Sequence, residues 1–362
     1  MTSEPDSELH PLTREETHSG SPYSSFAAKE SRRSGAVIAG RYQVRGFLER
    51  GAHARIYLAE DLTTRSPVAL KILSPETALS PEFRRRLVRE GQAMKAISHP
   101  NVATVIEAGE TEEGIPFLAM EALLGESLGE YLRRERIPFD TALILLRQAA
   151  AGLAAAHLAG IVHRDVKPDN FLLLGPPGEP YGLKVIDFGL AKLWGIDEDD
   201  GSGNVLGTAE YMSPEQILVE EVDARSDVYS LGVVMFRMFT GHLPFESVGQ
   251  ADLLRHQLFS SVPPPSWLNE ALDPRIDQIV QFATRKHREN RYASMAELTR
   301  DLEVLLGIGG LDVQPRPLSV APDAYVPSTD LGHQAATLLA EKFGEHASRP
   351  ASAKPSSPVS SE

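Results

Sequence analysis

Residues 162–189 read V-H-R-D-V-K-P-D-N-F-L-L-L-G-P-P-G-E-P-Y-G-L-K-V-I-D-F-G. Two apolar, strand-like pieces stand inside this stretch, at 171–174 and 183–186, and polar residues crowd the mouth of each. Asp165, Lys167 and Asn170 fall within six positions of one another, and Asp187 follows seventeen residues after Asn170. The Gly- and Pro-rich run 175–182 is a turn by composition, so the second strand returns along the first and carries Asp187 back beside Asn170. The cluster then offers a carboxylate able to accept a proton, an oxygen pair able to hold magnesium, and a cation for phosphate.

The pattern H-R-D-x-K-P-x-N followed by D-F-G resembles the catalytic-loop and metal-loop pair of protein kinases. Lys167, two residues after Asp165, is similar to the serine/threonine branch of that family, and residues 42–306 as a whole look like the bacterial eukaryotic-like serine/threonine protein kinases. The resemblance implies an α+β, two-lobed protein-kinase fold over residues 40–306. A small, mostly β N-lobe with one regulatory helix would span about 40–121, and a larger, mostly helical C-lobe about 125–306. It also implies transfer of the ATP γ-phosphate to Ser/Thr hydroxyls of proteins, the chain itself among them, with Mg²⁺ or alternatively Mn²⁺ as cofactor. A weakly active pseudokinase or scaffold is the alternative, because the Gly-rich loop departs from the family pattern. A small-molecule kinase of the antibiotic- or choline-phosphorylating type lacks the docking segment G-T-x-x-Y-x-x-P-E, which this chain has at 207–215.

Composition narrows the classes. The chain has 362 residues, 42% apolar and 24% charged, which allows one domain of about 250–270 residues with tails, or two smaller ones. A formal net charge of −14 argues against nucleic acid as a partner, since phosphate binding needs a basic footprint. With no cysteine there are no disulfides and no thiolate sites, and the 11 histidines show no H-E-x-x-H spacing. The amino-terminal M-T-S-E-P-D-S-E has neither a basic start nor an apolar core, and no apolar run approaches the ~18–20 residues of a membrane span. The expectation is a cytoplasmic protein. Residues 1–39 and 307–362, rich in Ser, Pro, Glu and Ala, read as disordered tails, with one short amphipathic helix at 330–346.

Carried onto this chain residue by residue, the resemblance assigns roles. Lys71, in V-A-L-K, would grip the nucleotide phosphates and pair with Glu90 on the helix at 81–97. The loop pattern G-x-G-x-x-G-x-V falls on Glu49, Gly51, Ala54 and Ile56, so only the middle glycine survives. Met120 would gate the back pocket, Glu121 and Leu123 would meet the adenine edge through their backbones, and Glu126 would reach the ribose. Ala69 and Leu172 complete the nucleotide-binding set. Asp165 would orient the acceptor hydroxyl and take its proton, Lys167 would neutralise the γ-phosphate, and Asn170 and Asp187 would ligate the metal. His163 would support the loop and not act as base. Asp227 would anchor the catalytic loop, and Glu215 and Arg291 would pair to hold the end of the activation segment. Within that segment, Thr208 would bridge Asp165 and Lys167. Ser202 stands at a phosphorylation position, and Asp197, Glu198, Asp199 and Asp200 form an acidic run that could substitute for phosphate against Arg164.

Overall fold

The computed structural model describes residues 35–51, 54–78, 80–175, 182–188, 209–246 and 249–308. Its upper lobe is a sheet of β1 (Val37–Ile38), β2 (Tyr42–Arg50), β3 (Ala54–Asp61), β4 (Pro67–Leu73), β5 (Val105–Glu110) and β6 (Pro116–Glu121), antiparallel in the order β1-β2-β3-β4-β6-β5. One long helix, α1 (Pro81–Lys95), packs on it. Then follow β7 (Gly125–Ser127), α2 (Leu128–Arg134), α3 (Phe139–Leu158), β8 (Phe171–Leu174) and β9 (Gly182–Val185). The lower lobe is completed by α4 (Ala224–Thr240), α5 (Gln250–Phe259), α6 (Pro274–Ala283) and α7 (Met295–Leu305).

β4 shows how sequence alternation sorts the two faces of the sheet. Its period of two sends Val68, Leu70 and Ile72 into an upper core with Tyr42, Val44, Tyr57 and Phe117. Ala69 and Lys71 therefore face the opposite side, toward the lower lobe. Cross-strand register lines Ile56, Lys71 and Leu118 into one row on that face, and Ala69 beside Met120 into the next. α1 meets the same side of the sheet at very short range. A Cβ built on Gly91 would lie 2.4 Å from Leu118 Cδ2 and 2.8 Å from the Ala108 Cβ. Gly91→Ala is accordingly expected to push α1 off β5 and β6 and cost about 1–3 kcal/mol. A thermal midpoint unchanged from wild type would contradict this packing.

The lower lobe is built around α4, which is buried on nearly every side, its apolar residues packed around it and its buried Ser226, Asp227 and Ser230 each hydrogen-bonded. It starts on Asp223, whose carboxylate accepts from the Arg225 N–H, and stops at Gly241, which takes φ 78°. α3 lays its Ala- and Leu-rich face against α4, α7 and β9. The two lobes are tied where residues 101–103 run beside β9. Val185 N donates to Asn101 O at 2.8 Å, and Ala103 N to Val185 O at 2.9 Å.

Three readings of the sequence change here. The sheet begins ahead of residue 40, because β1 pairs with Tyr42 and Gln43 and Ile38 is only 5% exposed; two strand residues among small and polar neighbours leave no periodicity to read. The statement that no segment reaches span length also needs correction. α3 is 20 residues long and apolar enough to cross a membrane by length and composition alone. Its apolar residues are instead the core of the lower lobe, with Leu143, Leu146, Ala149, Ala150 and Leu153 buried. Finally, β7 was not anticipated, since a three-residue strand shows only in its pairing with β8. The proposed helix at 330–346, residues 1–34 and 309–362 of the two tails, and positions 189–208 with Asp197, Glu198, Asp199, Asp200, Ser202, Gly207 and Thr208 lie outside the described residues.

Candidate active site

The catalytic loop hangs on a buried carboxylate. Asp227, from the first turn of α4 and fully buried, accepts hydrogen bonds from His163 N (2.7 Å), Arg164 N (2.8 Å) and His157 Nε2 (2.7 Å). Gln216 Nε2 donates to Arg164 O at 2.7 Å. These bonds on both sides of Arg164 hold it at φ 64°, a region that a non-glycine residue enters only at a cost. The turn so fixed aims the next residue, Asp165, into the space between the lobes.

His163 links this loop to the strand that delivers Asp187. Its Nδ1 accepts from Asp165 N (3.2 Å), while its Nε2 lies 3.1 Å from Ile186 O and must therefore donate. Those two partners assign a neutral imidazole, and complete burial pushes its pKa down as well. The ring packs on Phe188 at 4.7 Å between centroids. With both nitrogens committed, His163 is a brace and not a proton acceptor.

Register brings the remaining groups together. Phe171 stands opposite Val185 in the β8–β9 hairpin, and Ile186 N donates to Asn170 O at 3.0 Å, so Asn170 and Asp187 sit at the same end. Asn170 Nδ2 donates to Asp165 O (2.7 Å) and Asp165 Oδ2 (3.0 Å), which leaves its Oδ1 as the atom available to a cation. Lys167 Nζ lies 3.0 Å from the same Asp165 Oδ2. Asp187, at φ 51°, meets Lys71 Nζ at 2.7 Å, with the two side chains 31% and 18% exposed. Upper and lower lobes thus share one cleft. Glu90 rides on α1, but its side chain lies outside the described residues; the partner seen for Lys71 is Asp187.

A second ion pair sits below the cleft. Arg291 Nη1 and Nη2 contact Glu215 Oε1 and Oε2 at 2.7 and 2.8 Å, and Ser226 Oγ donates to Oε1 at 2.5 Å. Near it, Tyr211 is buried and receives a hydrogen bond from Arg237 at 2.5 Å. Gln257, from α5, donates to Glu210 O and accepts from Tyr229 OH. Residues 209–217 are therefore anchored to α4, α5 and the segment ahead of α7.

Comparison with known sequences matches residues 42–299 to the protein kinase domain family. The chain belongs to the protein kinase family. Among curated relatives, Pkn1 of Myxococcus xanthus is 36% identical over 300 residues, covering 79% of this chain and 43% of its own. PknL of Mycobacterium tuberculosis is 35% identical over 271 residues, covering 75% and 67%. Both names read serine/threonine-protein kinase, which places the chain with the bacterial eukaryotic-like serine/threonine kinases. The chain spans about half the length of the first relatives, 43% of Pkn1 and 53% of pkn3. The solved kinase domain of Mycobacterium tuberculosis PknI superposes with a TM-score of 0.60 at 26% identity, covering 76% of this chain and 98% of that one.

In this kinase domain the roof of the cleft is β2 and β3. Gly51 N donates to Ala54 O at 2.9 Å across the tip, and residues 52–53 lie outside the description. Ile56 is paired on one side with Glu49 and on the other with Lys71. The back wall is an apolar recess lined by Met94, Val105, Leu118, Met120 and Phe188, with Lys71 and Asp187 at its mouth. Leu172, half-buried on β8, stands opposite Lys184 in the hairpin below.

Two hinge carboxylates have partners that the sequence did not suggest. Glu121 Oε1 accepts from Thr104 N (2.7 Å) and from Lys184 Nζ (2.5 Å), so the strand entering the hinge is strapped to β9. Glu126, expected at the ribose, is instead held by Arg134 through both oxygens at 2.7 and 3.0 Å. A ribose hydroxyl would have to share that carboxylate with a guanidinium. Leu123 is half-buried between them. His157, Gln216, Lys184 and Arg134 lie outside the motif positions; only their three-dimensional partners reveal them.

Proposed function

We propose that this chain is an ATP-dependent serine/threonine protein kinase that transfers the γ-phosphoryl group to hydroxyls of proteins, its own among them. The observation carrying the reading is the convergence of Asp165, Lys167, Asn170, Asp187 and Lys71 in one cleft: Lys71 meets Asp187 at 2.7 Å, Lys167 and Asn170 meet Asp165 at 3.0 Å, and Ile186 N on Asn170 O holds the two sets together. Phosphoryl transfer asks mainly for alignment and charge neutralisation, and these are the groups that supply both.

The donor set fits a magnesium–nucleotide complex. Among the described residues no three His, Asp or Glu side chains converge into a ready-made metal cage. Magnesium does not need one, because it keeps waters and phosphate oxygens and takes one or two protein oxygens. Asn170 Oδ1 and the Asp187 carboxylate would be those oxygens. When bound, the ion neutralises charge developing on the phosphates. Lys71 would orient the α- and β-phosphates from the sheet side. Asp165 would align the acceptor hydroxyl and receive its proton, and Lys167 would stabilise charge on the transferred group. His163, neutral and fully committed, keeps the loop in register.

Incubation with γ-labelled ATP and a generic protein acceptor, followed by phosphoamino-acid analysis, tests the proposal. Label is expected on serine and threonine with Mg²⁺ and not with EDTA. No transfer to either acceptor or chain would refute it.

A further inference from the structure

We propose that Glu49 acts as a charge filter at the mouth of the nucleotide cleft, disfavouring metal-free nucleotide and so coupling binding to the divalent cation. This inference rests on the nucleotide-binding reading above. Its geometric basis is a β-bulge. Phe47 opposes Tyr57 and packs edge-on against it at 5.6 Å, on the upper-core face of the sheet. Regular alternation would return Glu49 to that same face. The register instead slips between Phe47 and Glu49, so that Glu49 opposes Ile56. Ile56 opposes Lys71 in turn, and Lys71 faces the cleft. The bulge therefore swings Glu49 onto the cleft-facing row that holds Lys71.

The electrostatics around the row agree with this placement. Glu49 stays exposed at the surface, and partial desolvation first and the neighbouring Asp187 charge next push its pKa up, while Lys71 opposes both. A simple charge count shows the consequence. Lys71 is matched by Asp187 at 2.7 Å, and Lys167 by Asp165 at 3.0 Å, so the four catalytic charges cancel. Glu49 adds one negative charge that has no ion-pair partner among the described residues. Arg50 and Arg55 stand opposite one another and alternate to the other face of the sheet, so on the cleft face a polyphosphate arriving without metal meets the Glu49 charge, whereas a divalent ion cancels two of its charges before it enters. A glycine at this position would remove the penalty.

The test is ADP binding to the full chain by calorimetry, in EDTA and in saturating Mg²⁺, so that no turnover is needed. Glu49→Gln removes the charge and keeps the side chain. It is expected to tighten metal-free ADP about tenfold while changing the Mg²⁺-bound constant by less than about threefold. The difference should shrink in roughly 0.5 M salt as the charge is screened. An unchanged ratio of the two constants in Glu49→Gln sinks the filter. So does tightening confined to Glu49→Gly, which would trace the effect to backbone freedom. If wild type binds no ADP under either condition, the nucleotide-cleft reading falls and the filter with it. A Lys71→Met control that abolishes binding, beside Glu49 variants with an unaltered ratio, would retain the cleft and remove only the filter.

Discussion

Asp165→Asn is expected to lower phosphoryl-transfer turnover about 10³-fold while leaving the KM for ATP within about threefold of wild type. The substitution keeps size and still offers an oxygen to Lys167 and Asn170, which lie 3.0 Å from the Asp165 carboxylate. What it removes is the negative charge proposed to orient the acceptor hydroxyl and take its proton. The loop should hold its shape, because its anchor is Asp227 on the Arg164 backbone and not the Asp165 side chain. Steady-state kinetics with a protein acceptor, paired with ADP binding, separates the two effects. Asp187→Asn makes the contrast. It touches Lys71 and the proposed metal oxygens, so it should raise the Mg²⁺ concentration needed for half-maximal rate. Turnover of Asp165→Asn within tenfold of wild type would mean that the proton acceptor lies elsewhere.

The parts of the fold legible in the sequence are those whose determinants are close in the chain. Asp165, Lys167 and Asn170 are set by one short loop, and the return of Asp187 needs only two strands and a turn; Phe171–Leu174 appears as read, and its partner within one residue. β4 was readable because alternation sends Lys71 and Ile72 to opposite faces. The illegible parts depend on partners distant in sequence. Glu126 becomes half of an ion pair only when α2 brings Arg134 beside it. Nothing in L-E-R-G announces that a slipped register turns Glu49 toward Lys71, because a bulge is a property of two strands together. A similar limit hid Lys184, which looks like a solvated strand residue until Glu121 lies 2.5 Å away. α3 carries an apolar run long enough for a bilayer by length and composition, and its contacts with α4, α7 and β9 make that run the core of the lower lobe.

Arg291→Met should destabilise the domain by about 3–5 kcal/mol, a loss that removing one partner of a buried ion pair incurs. The Arg291 side chain is fully buried and Glu215 nearly so. Its donors are all engaged, on both Glu215 oxygens and on the carbonyls of Arg225 (3.0 Å), Arg285 (2.6 Å) and Lys286 (2.8 Å). Methionine fills the volume but leaves the buried Glu215 carboxylate with Ser226 in place of a guanidinium and takes a donor from three carbonyls. At about 2 °C or more per kcal/mol for a domain of this size, the midpoint should fall by roughly 6–15 °C. The pH dependence gives a second, independent readout. Burial raises the Glu215 pKa, but hydrogen bonds and charge from Arg291, with help from Ser226, outweigh it and leave the group below its usual range. A carboxyl depressed in the folded state contributes stability that is complete above its unfolded pKa, about 4.3, and is lost as pH falls toward the folded value. Without Arg291 the burial contribution is opposed only by Ser226 and a backbone hydrogen bond, so the shift should reverse and ionised Glu215 become a liability at neutral pH. The gap in midpoint between wild type and Arg291→Met should therefore be wider at pH 7 than at pH 4. A gap of equal size at both would show that Arg291 acts through packing and its carbonyl contacts, not through the charge of Glu215.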